Sequence, residues 1–280
     1  MLYYFFILWA LIDTFVLYLV YSSLSYWIAP LLVLGFFIAV NIFYLAFLYV
    51  ASLFLSTKKP FEKDSPFCRT IVTVTLDWLL HLLRIRTEVH GLEKLPKEPF
   101  VLVSNHRSNF DPIVTITALK KFPLSFVSKP EIFKIPIAGR FIHRVGFLAI
   151  DRENPIKAMK TLSKAIDFIK NQGLCIGIYP EGTRSKTGEL LEFNRGAFMV
   201  AQKAKTPVVV MSTRNTEQIG RNIPFKPTCV VLDILDVIDK DTVVPSGTKE
   251  LSGCVRAAIE EKLNNDLGSC DRCGIGRKTI

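Results

Sequence analysis

The first 57 residues carry a single charged side chain, Asp13, and every other charge of the chain follows them. Residues 58–280 hold 35 basic and 24 acidic groups, a net +11, against +10 for the whole chain. An oily end joined to a basic end excludes a purely soluble globular chain, a disordered chain and a secreted disulfide scaffold, since each distributes apolar and polar residues differently. A membrane-tethered domain remains.

The oily end divides at residues 22–27. Met1 to Tyr21 is a stretch of 21 residues interrupted only by Asp13, and Ile28 to Leu55 is a stretch of 28 residues without a charge. Each reaches the roughly 20 helical residues that cross a hydrocarbon core. Tyr3, Tyr4, Trp9, Tyr21, Tyr26 and Trp27 gather near the ends of the first stretch and in the turn, where amphipathic rings suit a membrane interface. Residues 1–57 therefore read as a two-helix membrane hairpin. It has neither the basic n-region nor the small-residue cleavage site of a signal peptide, so it is expected to be retained. Lys58 and Lys59 follow directly, and basic flanks stay cytoplasmic, which puts everything from residue 58 onward, and both termini, on the cytoplasmic side. A pair of buried or half-immersed helices is the alternative, because Asp13, Pro30 and Asn41 fit lipid poorly.

Six cysteines stand at 68, 175, 229, 254, 270 and 273, in the part placed in the reducing cytosol, so no structural disulfide is expected. Cys270 and Cys273 form a CxxC without the second pair that a zinc site needs, and no metal is expected. Residues 267–280 read as a flexible tail.

Past residue 58 the pattern changes. Ile71 to Leu83 reads as a connecting amphipathic helix within 58–84. Strands are expected at Ile85–Val89, Phe100–Ser104, Leu124–Ser128, Val145–Ile150, Leu174–Tyr179, Val208–Thr213 and Thr228–Ile234. Helices are expected near Pro112–Lys121, Pro155–Asn171, Asn194–Lys205 and Thr248–Asn265. Alternation of this kind predicts an α/β domain over 85–266, a mixed central sheet flanked by helices and preceded by the hairpin. Phe133 to His143 reads as ordinary packing between two strands, with contact to the membrane interface as the second reading.

In open α/β sheets the chemistry sits just after the strands. Three such places hold polar groups. In the first, Val103 to Pro112, a helix would set His106 and Asp111 about 140° apart around its axis, too far to cooperate. Asp111 before Pro112 instead reads as an N-cap and a first helical residue. A turn there can fold the His106 imidazole back onto the carboxylate, which would fix its tautomer. Equally, Asp111 merely caps and His106 merely fills the turn. The second place ends in Arg152, and a lone arginine after a strand is usually a solvated group. The third, Tyr179 to Ser185, couples Gly182, which lets backbone N–H groups approach an anion, with Arg184, whose guanidinium suits phosphate. A surface turn with a Glu181 to Arg184 ion pair is its plain alternative.

Together the three carry a resemblance. Asn105-His106-Arg107-Ser108-Asn109-Phe110-Asp111 is similar to the NHx4D box of the glycerolipid acyltransferases, and Tyr179-Pro180-Glu181-Gly182-Thr183-Arg184-Ser185 to their (F/Y)PEGTRS box. The chain resembles their lysophosphatidic acid acyltransferases from about His90 to Thr213. Lys129 to Arg152 is similar to the link that ends in the family's arginine box. Thr206-Pro207-Val208-Val209-Val210-Met211 keeps the first proline of a fourth box but has Val210 where a second is often found.

The resemblance implies acyl transfer from acyl-CoA or acyl-carrier protein, as co-substrate, to lysophosphatidic acid, with no other cofactor. It implies His106 as base and Asp111 as its orienter, Arg152 and Arg184 holding the acceptor's phosphate with Lys129 as a weaker candidate, and Glu181, Gly182 and Thr183 in the part of the site that positions the glycerol. A histidine with an ordinary pKa of about 6.5 suits the base. Neither box has a cysteine and no GxSxG elbow is present, which favours direct attack by the acceptor hydroxyl over a covalent acyl-enzyme. The hairpin-plus-domain plan resembles the bacterial members, which implies the inner membrane, with the domain on its cytoplasmic side among membrane lipids. Two rivals are a membrane-bound phosphohydrolase, which usually carries a metal cluster or nucleophile motif, and a non-catalytic tether for anionic lipid. Nucleic acid is not expected, since no recognisable motif accompanies the positive charge.

Overall fold

The structure is a computed structural model and describes residues 2–21, 26–57, 61, 63–185 and 189–265. Lys58, Lys59 and the tail with Cys270 and Cys273 lie outside the described residues. Cys68, Cys175, Cys229 and Cys254 stand as thiols.

Two apolar helices open the chain, α1 (Leu2–Val20) and α2 (Ala29–Leu53), both long and apolar enough to cross a membrane. Pro30 falls in the first turn of α2, where a missing N–H costs nothing. Asn41 is not left to lipid: its amide donates to Phe37 O (2.6 Å) and its carbonyl accepts from Trp78 Nε1 (3.1 Å). Trp78 belongs to α3 (Pro66–Leu82), which starts at Ser65, whose hydroxyl accepts from Cys68 N–H at 3.3 Å. The connecting helix thus begins five residues before the expected Ile71. The Tyr44 and Thr75 hydroxyls, 2.7 Å apart, add a second tie between α2 and α3.

Seven strands follow: β1 (Ile85–His90), β2 (Val101–Ser104), β3 (Leu124–Ser128), β4 (Leu148–Ala149), β5 (Cys175–Ile178), β6 (Val208–Arg214) and β7 (Thr228–Ile238). They form one sheet in the order β1-β7-β6-β2-β5-β3-β4, parallel throughout except between β6 and β7. The sheet is mixed, as expected. The remaining helices are α4 (Asp111–Ala118), α5 (Ala138–Arg144), α6 (Pro155–Gln172), α7 (Gly196–Ala204), α8 (Ile219–Asn222), α9 (Lys240–Val243) and α10 (Thr248–Asn265). Side chains alternate across each strand. Phe100, Leu102, Val209 and Met211 bury against α3, α4 and α5, whereas Val101, Val103, Val208 and Val210 bury against α6, α7 and α10.

One local expectation is corrected. The strand expected over Val145–Ile150 shrinks to two residues, because α5 runs to Arg144 and the chain turns at Gly146 with φ +83°. A Cβ on Gly146 would lie 2.7 Å from Leu174 Cδ1. The segment Phe133 to His143 packs between two strands as expected, with Phe133, Ile137, Phe141 and Ile142 on the core. It holds the end of a 3-10 turn (Pro130–Lys134) and most of α5, with Gly139 set so close to Phe133 O that a Cβ would overlap it.

Candidate active site

Because β2, β3, β4, β5 and β6 run in one direction, the turns after them share one edge of the sheet. That edge carries the His106 turn, Lys129, Arg152 and the Tyr179 to Ser185 loop.

His106 Nδ1 lies 2.7 Å from Asp111 Oδ2, and the Asp111 side chain is fully buried. The same oxygen accepts the backbone N–H groups of Arg107 (2.7 Å) and Ser108 (2.8 Å). All three contacts fall on Oδ2, while Oδ1 is buried with no hydrogen-bond partner among the described residues; with Nδ1 donating to Oδ2, Nε2 is left as the nitrogen with a free lone pair. The expectation that Asp111 is the N-cap is corrected. Phe110 takes the cap position without a side-chain bond, and Asp111 is the first helical residue, its carboxylate reaching back into the turn. Being on the helix frees it from capping and fixes it to a rigid element.

The third box braces the first. Glu181, 6% exposed, accepts His106 N–H on Oε1 (2.6 Å) and Leu191 N–H on Oε2 (3.0 Å). Burial raises its carboxyl above the ordinary value, and the two N–H bonds oppose this. The Glu181 to Arg184 ion pair is therefore not how this loop is held, and both Glu181 oxygens are turned to backbone. Ser185 N–H donates to His106 O at 3.0 Å. Gly182 adopts φ +72°, with Asn194 Nδ2 at 3.1 Å from where a Cβ would be, while Asn194 itself donates to Pro180 O. The Tyr179 ring stacks on the His106 imidazole, centroids 4.3 Å apart and planes 12° off, and on Phe126 behind it at 5.4 Å. Burial, reinforced by the Asp111 charge, pushes the Tyr179 phenol well above its ordinary value, so it stays neutral. On the other side Asn105 takes Thr213 N–H (2.8 Å) and gives to Thr213 O (2.9 Å), splicing the turn onto the end of β6.

The structure thus brings His106, Asp111 and Glu181 into direct contact with the same turn. Lys129, Arg152, Thr183 and Arg184 stand exposed at the same edge, and Gly182 is half-buried. Among the described residues no three His, Cys, Asp or Glu side chains converge as metal ligands. Sequence reasoning missed Tyr179 and Asn105 as supports of His106, although each heads its own box.

Residues 86–214, the span of these boxes, match a family model described as Acyltransferase. The chain carries a domain of that family. The acyltransferase domain is 29% identical over 186 residues to the 1-acyl-sn-glycerol-3-phosphate acyltransferase of Saccharomyces cerevisiae, covering 65% of this chain and 61% of the relative. It is 31% identical over 166 residues to the protein of the same name from Escherichia coli, covering 58% and 66%. The alignments thus span about two thirds or less of these two relatives' own length. The crystal structure of the 1-acyl-sn-glycerophosphate (LPA) acyltransferase PlsC from Thermotoga maritima superposes with a TM-score of 0.63 at 25% identity, covering 81% of this chain and 89% of that one.

Proposed function

We propose that the chain transfers an acyl group from acyl-CoA or acyl-carrier protein to the free sn-2 hydroxyl of 1-acyl-glycerol-3-phosphate, making phosphatidic acid. The observation that carries this reading is the 2.7 Å contact of His106 Nδ1 with Oδ2 of the buried Asp111 carboxylate. The relatives' names point the same way. With Nδ1 committed, Nε2 accepts the proton of the acceptor hydroxyl as its oxygen attacks the thioester carbonyl. Asp111 stabilises the imidazolium that forms. As the tetrahedral adduct collapses, the C–S bond breaks and the imidazolium returns its proton to the departing thiolate. Tyr179 holds the ring plane through the exchange. Arg152 and Arg184, with Lys129, take the phosphate at the open edge.

In this reading the hairpin sits in the inner membrane and holds the sheet edge at the cytoplasmic surface, where both lipids reside. The test offers labelled acyl-CoA and acyl-carrier protein separately to detergent-purified chain with lysophosphatidic acid. Phosphatidic acid should form, and His106→Ala should lower its rate by about 10²–10⁴-fold. Release of inorganic phosphate instead of acyl transfer would make the chain a phosphohydrolase.

A further inference from the structure

Away from the His106 edge, a cavity of ≈ 580 Å³ opens between the start of α1, the end of α3 and β1. None of the residues assigned above to catalysis or phosphate holding lines it. Its wall carries Tyr3 and Tyr4 from the hairpin, His81, Arg84 and Arg86, and one acid, Asp77. The two tyrosines grip the imidazole, Tyr3 stacked at 6.1 Å and Tyr4 edge-on at 5.5 Å. His81 Nδ1 is 2.8 Å from the Asp77 backbone O and 3.8 Å from the Asp77 carboxylate, and two guanidinium groups against one carboxylate leave the cavity net positive.

Arg84 is placed there at a cost. It terminates α3 with φ +57°, a left-handed position that helix ends normally give to glycine. An arginine kept in a conformation that disfavours it points to a task for its side chain. One N–H of its guanidinium donates to Phe225 O (3.1 Å), on a loop whose Phe225 ring is 85% exposed and whose Pro227 also lines the cavity. Among the described residues the Arg86 side chain has neither hydrogen bond nor ion pair.

We propose that this cavity is a second lipid site, separate from the catalytic one, that binds the phosphate of an anionic phospholipid headgroup through Arg84 and Arg86, with Phe225 and the two tyrosines against its glycerol and upper acyl region. The ligand chemistry is a phosphate anion. The lipid source follows from continuity with the hairpin, whose first turn supplies part of the wall, and from an exposed aromatic ring beside the guanidinium. The inference rests on the membrane placement of the hairpin and not on acyl transfer.

The test uses full-length chain in neutral detergent micelles and native mass spectrometry, with phosphatidylglycerol as probe, phosphatidylcholine as neutral comparison and inorganic phosphate as competitor. One phosphatidylglycerol should be retained in preference to phosphatidylcholine, by wild type and by His106→Ala alike. Arg84→Gln with Arg86→Gln should weaken retention by about 25-fold, roughly fivefold for each charge. Arg84→Gly removes one guanidinium while suiting the left-handed backbone, so it should weaken retention about fivefold without lowering the thermal midpoint in lipid-free micelles. Equal retention by the variants, or equal retention of phosphatidylcholine, would overturn the proposal. Displacement of the lipid by millimolar phosphate would assign the cavity to free phosphate and overturn its lipid source. Loss of retention in His106→Ala would make it part of the catalytic centre and overturn its separateness. Retained phosphatidylglycerol in a chain that fails to transfer acyl groups would sink only the catalytic reading.

Discussion

At the scale of residues, the site is a histidine whose every degree of freedom is held by a different neighbour: its proton by Asp111, its ring plane by Tyr179, its backbone by Glu181 and Ser185. Each can be removed separately. Asp111→Asn keeps the shape but loses the anion, and acyl transfer should fall by about 10²–10⁴-fold with little change in acceptor KM. Tyr179→Phe keeps the stack and should leave the rate within a few-fold, whereas Tyr179→Ala frees the ring and should not. Glu181 gives a pH signature. Its carboxyl is raised in the folded chain, so it binds its proton more readily folded than unfolded, and the contribution is present below its ordinary value and lost as pH rises through the raised one. The thermal midpoint of wild type relative to Glu181→Gln should therefore rise as pH is lowered from 7 toward 4; a difference independent of pH would refute this. His106 and Asp111 were legible because the chemistry demands those side chains at that spacing. The bracing role of Glu181 was not, since its partners are backbone N–H groups, which leave no mark in a sequence.

At the scale of elements, β3 and α10 lie where the alternation of apolar runs and helical stretches placed them, Leu124–Ser128 and Thr248–Asn265. The error over Val145–Ile150 has a physical cause: a run of apolar residues serves a buried helix end and a buried strand alike, and the break falls at Gly146, where only the left-handed turn reveals it. The hairpin-proximal elements are pinned by Arg69 of α3, which pairs with Asp64 (2.7 Å) and donates to Leu124 O and Val145 O at 2.8 and 2.9 Å. Arg69→Ala would remove the donor to Leu124 O, leaving Val145 O to the Ser125 hydroxyl alone, and should cost about 1–3 kcal/mol of stability, read as a lowered thermal midpoint. Gly182→Ala should cost about 1 kcal/mol in stability from its positive φ. The activity loss should be larger, because the displaced loop carries both the Glu181 brace and Arg184.

At the scale of the whole molecule, hairpin and sheet are one body. Trp78 to Asn41, Tyr44 to Thr75 and the bond from Arg140 to Ser52 O (3.0 Å) fasten α2 to α3 and α5, and α3 lies directly on the sheet face. Asn41→Ala would leave the Trp78 N–H unanswered at that joint, and limited proteolysis between hairpin and domain should accelerate while the rate of acyl transfer in detergent holds.

On the membrane placement proposed above, this rigidity bears on how the molecule sits in a bilayer. At about 1.5 Å per residue α2 is about 37 Å long, and a hydrocarbon core of about 30 Å accommodates such a helix by tilting it. A tilt of α2 cannot stay in α2, because the bolts to α3 and α5 carry it to the sheet. Thinning or thickening the lipid would then rotate the edge that bears His106 toward or away from the surface, and turnover would follow acyl-chain length in the host membrane even with the substrates unchanged.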